Sequence, residues 1–452
     1  MCRADKLPYM SRERRSEGVL RSVAFSVLLV SVVSIAMDEL EKKGEAHKFG
    51  HKMKEEFLLA PGYRNFNHGS FGAMPNAVWD AQKRYQEQAE SRPDKWFRED
   101  YQILIESSRA TIAAYVNAPS TADIVMIENA SGGCNAVMRS LDWGSGGVIM
   151  YLSSAYAMVK NTAQYLAQTV PGLRAVEVEL GSDFPMGGDD SVLKPLEKAL
   201  RKHAGEVKLF IISHIASVPG VIMPVEAAIK MTRDPAIVGK QPIPVLVDGA
   251  HALGQIHVDI QALGDPDYYL SNGHKWFYTP KSAAFLYVRQ DRQLPLSPEP
   301  TVISSSGKQD FVGRFDYTGT RDYTAFVAFV DAFKFREKLG DELIYNYNTQ
   351  LAAWAAAHLS QRWGTKVLSP PHMQAYMFNV ELPTKSAAVG AALHDRLEQD
   401  YDAYMLSLQL GDIVYTRLSA QVYLDKADFE WLGDIVLELI PKIEAEIAAK
   451  DK

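Results

Sequence analysis

The chain has 452 residues, 47% of them apolar and 23% charged, which is the balance of a globular protein long enough for two or three domains. This excludes a disordered, collagen-like or coiled-coil protein, and a mean hydropathy of −0.15 with a single strongly apolar stretch excludes a polytopic membrane protein. Lys and Arg number 48 against 55 Asp and Glu, a net charge of −7 with no long basic cluster, so nucleic acid is not an expected partner, and two cysteines, Cys2 and Cys134, exclude a disulfide scaffold.

The first element is the apolar stretch Ser22–Met37. Arg3, Lys6, Arg12, Arg14, Arg15 and Arg21 precede it, and Ser34-Ile35-Ala36 ends it with small residues, the pattern of a secretory signal. It is shorter than the ~20 residues of a spanning helix, so an anchor is the weaker reading. Met37 is followed by a plain soluble start, Asp38-Glu39-Leu40-Glu41-Lys42-Lys43. Residues 1–36 are therefore read as a targeting-like or upstream segment, and a membrane contact is expected only if they are retained.

Residues 37–66 are expected to form an N-terminal helix, over 38–60, and an arm. Asn67-His68-Gly69-Ser70-Phe71-Gly72 is a Gly-punctuated turn. Pro75 opens a helix to about Ser91, and a second helix is expected near Glu99–Val116. From Ile124 short apolar strands alternate with helical stretches: Ile124–Ile127, Gly147–Leu152, Ala175–Leu180, Lys208–Ser213, Pro244–Asp248, Tyr268–Ser271 and Ala284–Val288. Such runs are strands buried on both faces, and the alternation predicts an α/β layer with a mainly parallel seven-stranded sheet. Residues 67–323 form this large domain. A smaller α+β domain follows over 324–452, with helices over Ala325–Lys338, Glu342–Trp363 and Ser386–Asp400, strands over Gln374–Leu382 and Ile413–Leu418, and a last helix to about Ala449 capped by Asp425.

Three segments carry candidate chemistry. Val245-Leu246-Val247-Asp248-Gly249-Ala250-His251 ends a strand in a carboxylate, where open α/β sheets bind ligands; a helix-capping Asp is the plainer reading. In Ser271-Asn272-Gly273-His274-Lys275-Trp276-Phe277 a lysine sits among aromatics. Desolvation there lowers its pKa and equips it to form a Schiff base, while a surface lysine lying over Trp276 is the alternative. Glu128-Asn129-Ala130-Ser131-Gly132-Gly133-Cys134-Asn135 lies between a strand and a helix, where backbone N–H groups approach an anion, or it is a tight turn without a ligand. It fits neither the dinucleotide fingerprint nor the P-loop. Together an anion loop, a strand-end Asp and a Lys on the next strand end suit pyridoxal phosphate. Arg417, in Tyr415-Thr416-Arg417-Leu418-Ser419, offers a bidentate fork for an amino-acid carboxylate, or a surface ion pair.

The motifs Asn67–Gly72, Asp248-Gly249-Ala250-His251-Ala252, Asn272-Gly273-His274-Lys275-Trp276 and Gly319-Thr320-Arg321-Asp322 resemble the class V aminotransferase family of fold-type I pyridoxal-phosphate enzymes, over about residues 49–437. More narrowly they resemble the branch of isopenicillin N epimerase-like proteins, L-cysteine desulfhydrases and hercynylcysteine sulfoxide lyases. The resemblance implies Lys275 as the lysine that carries the cofactor and then shuttles the proton at Cα. It implies Asp248 at the ring nitrogen and His251 and Ser217 near the phenolic oxygen. Ser131, Gly132, Asn272 and His274 are implied at the phosphate, and Tyr156 stacked on the ring. Arg417, with Asn67 and His68, is implied at the substrate, and Thr320 at the phosphate of a neighbouring subunit in a homodimer with shared sites. No metal is expected. Two departures weaken transfer of substrate identity: Ser213 stands where relatives often carry Asp, and no Gly follows Tyr156.

The implied activity is β-elimination from cysteine or an S-substituted cysteine, giving pyruvate, ammonia and a sulfur product, with transamination or epimerisation as the alternative. A non-catalytic relative is disfavoured by the presence of Lys275, Asp248 and Arg417. Cys134, inside the anion loop, reads as a packing residue rather than a persulfide carrier. The only Asn-x-Ser/Thr sequon, Asn129-Ala130-Ser131, lies in that same loop, where a glycan would destroy the site, so a cytoplasmic enzyme is expected over a secreted one.

Overall fold

The computed structural model describes residues 49–450. The apolar stretch and residues 38–48 of the helix expected over 38–60 lie outside the described residues. The described part of that span forms no α-helix but a 3₁₀ turn, His51–Glu56, flanked by the buried rings of Phe49 and Phe57, and the arm adds a two-residue strand, Arg64–Asn65, paired with Ala403–Tyr404.

All seven expected strands join one sheet: β1 (Ile124–Ile127), β2 (Gly147–Leu152), β3 (Leu173–Val178), β4 (Val207–Ser213), β5 (Val245–Asp248), β6 (Tyr268–Asn272) and β7 (Ala284–Val288). Their order is β1-β7-β6-β5-β4-β2-β3. Only β7 runs antiparallel to its neighbours. β1, β5, β6 and β7 are buried throughout, as continuous apolar runs demand. β3 starts two residues earlier than expected. It is one of the two edge strands, its Arg174 and Glu177 are exposed, and its apolar pattern alone places it poorly. With β7 reversed, the carboxyl ends of the other six strands share one edge of the sheet, and that edge carries the site.

Helix α1 (Asn76–Ser91) matches its expected span. The expected helix from Glu99 instead opens in a π-type turn, Trp96–Asp100, that buries Trp96, and continues as α2 (Tyr101–Tyr115). The loop after β1 runs into α3 (Ala130–Ser140). The helix expected over Ala325–Lys338 breaks at Ala328 into Thr324–Val327 and Phe329–Leu339.

The smaller C-terminal domain contains α4 (Asp341–Trp363), β8 (Met377–Glu381), α5 (Ala387–Tyr401), β9 (Leu408–Leu410), β10 (Ile413–Ser419) and α6 (Lys426–Lys450). Its sheet is antiparallel, in the order β8-β10-β9. Asp425 caps α6 by accepting the Ala427 N–H at 3.0 Å. A short hairpin that sequence patterning missed, Ile215–Ser217 with Gly220–Ile222, leaves the end of β4 and reaches β8. Among the described residues no helix is long and apolar enough to cross a membrane.

Candidate active site

The end of β6 turns directly into one helical turn, Gly273–Trp276. The turn at Asn67–Gly72 lies against it so closely that a Cβ on Gly72, which has φ +71°, would fall 1.8 Å from the His274 carbonyl oxygen. Lys275 emerges here, partly buried, with Nζ 2.9 Å from His251 Nε2. Desolvation lowers its pKa to about 8; Asp248 opposes this shift and Arg417 adds to it. His251 is buried, and its other ring nitrogen accepts the Trp276 Nε1–H at 3.5 Å. Burial, with Lys275 and Arg417 nearby, holds its pKa well below the ordinary value.

Asp248 is the last residue of β5, in register with Ser213 of β4 and Leu270 of β6. It accepts the Ala250 N–H at 3.0 Å, a local turn rather than a helix cap. Burial raises its carboxyl pKa, and the Ala250 hydrogen bond and Lys275 offset part of the rise. No Lys or Arg forms an ion pair with it among the described residues.

The anion loop is tied to the lysine strand, because Asn272 Oδ1 accepts the Ala130 N–H at 2.9 Å. Asn129 caps α3 by accepting the Gly132 N–H at 2.9 Å. Asn129, Ala130 and Ser131 line the cleft, but Gly132 does not. Its N–H is already engaged by the cap, and it opens onto a separate cavity beside Glu128 and Arg321. His274 lines the cleft with Nδ1 buried and unpartnered, and its pKa falls to about 4 through burial and the nearby Lys275.

On the opposite side, Arg417 of β10 is 2% exposed. Its Nη1 donates to Ser217 O at 2.7 Å and Ser217 Oγ at 3.1 Å. Its Nη2 donates to Asn67 Oδ1 and Ser70 Oγ, each at 2.8 Å. Nε is buried without a partner, and desolvation lowers the guanidinium pKa to about 10. No carboxylate pairs with it among the described residues, which removes the surface ion-pair reading. Arg417 lies behind Ser70 and Ser217, which line the cleft while their hydroxyls accept from the guanidinium.

Three expected positions need restating. His68 does not reach the cleft. It is buried, its Nδ1 shares a 2.8 Å hydrogen bond with Tyr423 Oη, and its ring lies 5.0 Å from that of Trp276. Ser217 lines the cleft but is engaged by Arg417. Thr320 lies off the cleft, bonded to Tyr317 Oη on an outer cavity that also holds Arg321. Tyr156, 53% exposed, is at the cleft mouth beside Met158. The cleft, about 170 Å³, also gathers Ser70, Phe71, Ser213 and Ile215, to which sequence reasoning gave no role. Ser70 had a signal, since it sits inside a flagged motif. Ser213, noted in the sequence only as a departure from the family's usual Asp, is brought to the cleft by its register with Asp248.

Cys134 is free and fully buried in α3, and burial raises its thiol pKa well above the ordinary value, with the Asp248 charge adding to the shift. It therefore stays a thiol and packs as a small apolar residue.

A deprotonatable lysine, a buried carboxylate and a helix start at neighbouring ends of a parallel sheet define an α/β enzyme that grips an anionic ligand beside a reactive amine. The chain belongs to the aminotransferase class-V family, whose profile matches residues 66–396. It is 30% identical over 412 residues to the putative L-cysteine desulfhydrase 1 of Oryza sativa subsp. japonica, covering 84% of this chain and 83% of that protein. It is 28% identical over 400 residues to the hercynylcysteine sulfoxide lyase of Schizosaccharomyces pombe, covering 87% and 98%. Its fold matches that of a lysine mutant of C-DES with glycine covalently linked to the pyridoxal-phosphate cofactor, at a TM-score of 0.74 and 21% identity, over 85% of this chain and 99% of the other.

Proposed function

We propose that the chain is a pyridoxal-phosphate-dependent C–S lyase that converts L-cysteine or an S-substituted cysteine to pyruvate, ammonia and a sulfur product. The observation that carries this is Lys275, with its pKa lowered to about 8, placed beside His251 and the buried Asp248 at adjoining strand ends. The names of the desulfhydrase and sulfoxide-lyase relatives support the choice of reaction.

The cleft fits the cofactor on its own features. Asp248 is a buried carboxylate with no ion-pair partner among the described residues, and His274 holds a buried, unpartnered ring nitrogen. A ligand with a protonated ring nitrogen and a phosphate satisfies both. When bound, the cofactor supplies an aldehyde that an amine captures and a ring that withdraws electrons from the substrate Cα. Lys275 offers that amine, and once released it takes the proton from Cα. Asp248 keeps the ring nitrogen protonated. Ser131, His274 and the start of α3, aligned by Asn272, would hold the phosphate, and Tyr156 and His251, which also line the cleft, would contact the ring. Arg417 takes the α-carboxylate, with Ser70 and Ser217 turning toward it. The C–S bond then breaks with both electrons leaving on sulfur, which picks up a proton, and water releases the remaining carbons as pyruvate and the nitrogen as ammonia.

We place Thr320, off this cleft, toward a second subunit in a homodimer. We place the enzyme in the cytoplasm, since Asn129, the acceptor of the sequon, lines the cleft, where a glycan would fill the site. The test is pyruvate release by cofactor-loaded protein offered L-cysteine and S-oxidised cysteine conjugates. Absence of pyruvate from all of them overturns the lyase. Cα–H exchange without pyruvate would assign an epimerase instead, and keto-acid-dependent amino transfer an aminotransferase.

A further inference from the structure

Arg417 is held in part by a hairpin that belongs to neither sheet. The hairpin Ile215–Ile222 leaves the end of β4, and its base is closed by the Met223 N–H donating to His214 O at 2.9 Å. Its tip meets two side chains of the small domain. Arg417 donates to the Ser217 carbonyl. Asn379, fully buried on β8, grips Gly220 from both sides: its Oδ1 accepts the Gly220 N–H at 3.0 Å, and its Nδ2 donates to Gly220 O at 3.0 Å. Asn379 and Arg417 are cross-strand partners in the β8–β10 register. They therefore stand side by side and hold residues of one hairpin on either side of its turn.

An amide that pairs with the N–H and the C=O of one residue fixes the position of that residue and the tilt of the backbone on both sides of it, as a rung of a β-ladder does. The contact leaves no slack, since a Cβ on Gly220 would lie 3.1 Å from both Arg417 Cδ and Met377 Cβ. Two of the four acceptors around the guanidinium belong to Ser217, so the place of Gly220 sets the place of half the cradle. A cation aimed at a carboxylate needs its first contacts held to about 0.5 Å.

We infer that Asn379 is a positioning residue for recognition of the substrate α-carboxylate, acting through Gly220 and Ser217 on Arg417. This rests on the reading of Arg417 as the carboxylate-binding group. Glycine and methylamine differ only in that carboxylate, so they are the probes, each titrated against cofactor-loaded protein and followed by the change in cofactor absorbance. In Asn379→Ala the dissociation constant of glycine is expected to rise about tenfold, the scale of one well-placed charged hydrogen bond. That of methylamine stays within about twofold of the wild type. A general loosening of the fold would weaken both. Gly220→Ala, which pushes on the same contact from the hairpin side, is expected to show the same split and serves if Asn379→Ala fails to fold. The control is Arg417→Gln. If it leaves glycine affinity unchanged, the reading of Arg417 falls. If it weakens glycine while Asn379→Ala and Gly220→Ala do not, or if either of those weakens both probes equally, the positioning role of Asn379 falls and that of Arg417 stands.

Discussion

The lysine side of the cleft comes from three strand ends of one sheet, at Glu128–Ser131, Asp248–His251 and Asn272–Lys275, each a continuous run of sequence. The arginine side is assembled from the turn at Asn67–Ser70, the hairpin at Ser217 and the strand at Arg417, which are far apart along the chain. Their electrostatics differ as much as their construction. On the lysine side burial suppresses charge: it lowers Lys275 to about 8 and His274 to about 4, pushes His251 down and raises Asp248. On the arginine side burial lowers the guanidinium only to about 10, so it remains a cation at neutral pH, surrounded by neutral oxygens. The sheet edge tunes proton-exchanging groups, and the junction with the small domain fixes a permanent charge that lacks an anion. On the function proposed above, chemistry belongs to the first side and recognition to the second.

Substitutions should divide along that line. Lys275→Ala removes the amine on the tuned side, and pyruvate production is expected to fall at least about 10³-fold, with loss of the Schiff-base absorbance of the loaded protein. Arg417→Gln removes the fixed charge. It is expected to raise KM about 10- to 100-fold, the size of a charged hydrogen-bond pair, while the Schiff-base absorbance is kept. Loss of that absorbance in Arg417→Gln would break the separation between the two sides.

The pH dependence sharpens the same contrast. Only the neutral amine captures an aldehyde, and Lys275 is neutral above about 8 instead of above 10.5. Cofactor-free protein mixed with pyridoxal phosphate is expected to form the Schiff base about tenfold faster per pH unit as pH rises toward 8, then to level off. Stopped-flow absorbance reads this directly. A rise that continues to pH 10 would show that burial does not lower the lysine pKa.

The two sides were also unequally legible in the sequence. β1, β5 and β6 are apolar runs that lead within three residues to Asn129, Asp248 and Lys275, so strand, strand end and reactive group read off one segment at a time. Arg417 could be flagged by type, but Ser70, Ser217 and Asn379 meet it only after the small domain docks, and no local pattern encodes that. His68 shows the converse error: a histidine inside a diagnostic motif turns out to fill a buried aromatic cluster with Trp276 and Tyr423. The turn's glycine matters for how it lies on the lysine loop, and its serine is what faces the cleft. β9 was missed because it is short and partly exposed, and it pairs only with β10.

Cys134 provides the smallest expected effect and the strictest check on the lysine side. It sits in α3, in the anion loop's own helix, where a reactive thiol would suggest sulfur transfer through the protein. Its setting argues against that. The thiol is fully buried among Ile127, Ile149 and Leu270 in the core cluster beneath the cleft, and both desolvation and the Asp248 charge disfavour its thiolate. A nucleophilic thiol needs the opposite, an exposed site near positive charge. Cys134→Ala should therefore change pyruvate production by less than about twofold, while the small void it leaves lowers stability by about 1 kcal/mol in a denaturant titration. A large loss of activity at unchanged cofactor content would mean that sulfur passes through this residue, and the lysine side would then have to be read as a sulfur-transfer site as well as a proton-transfer site.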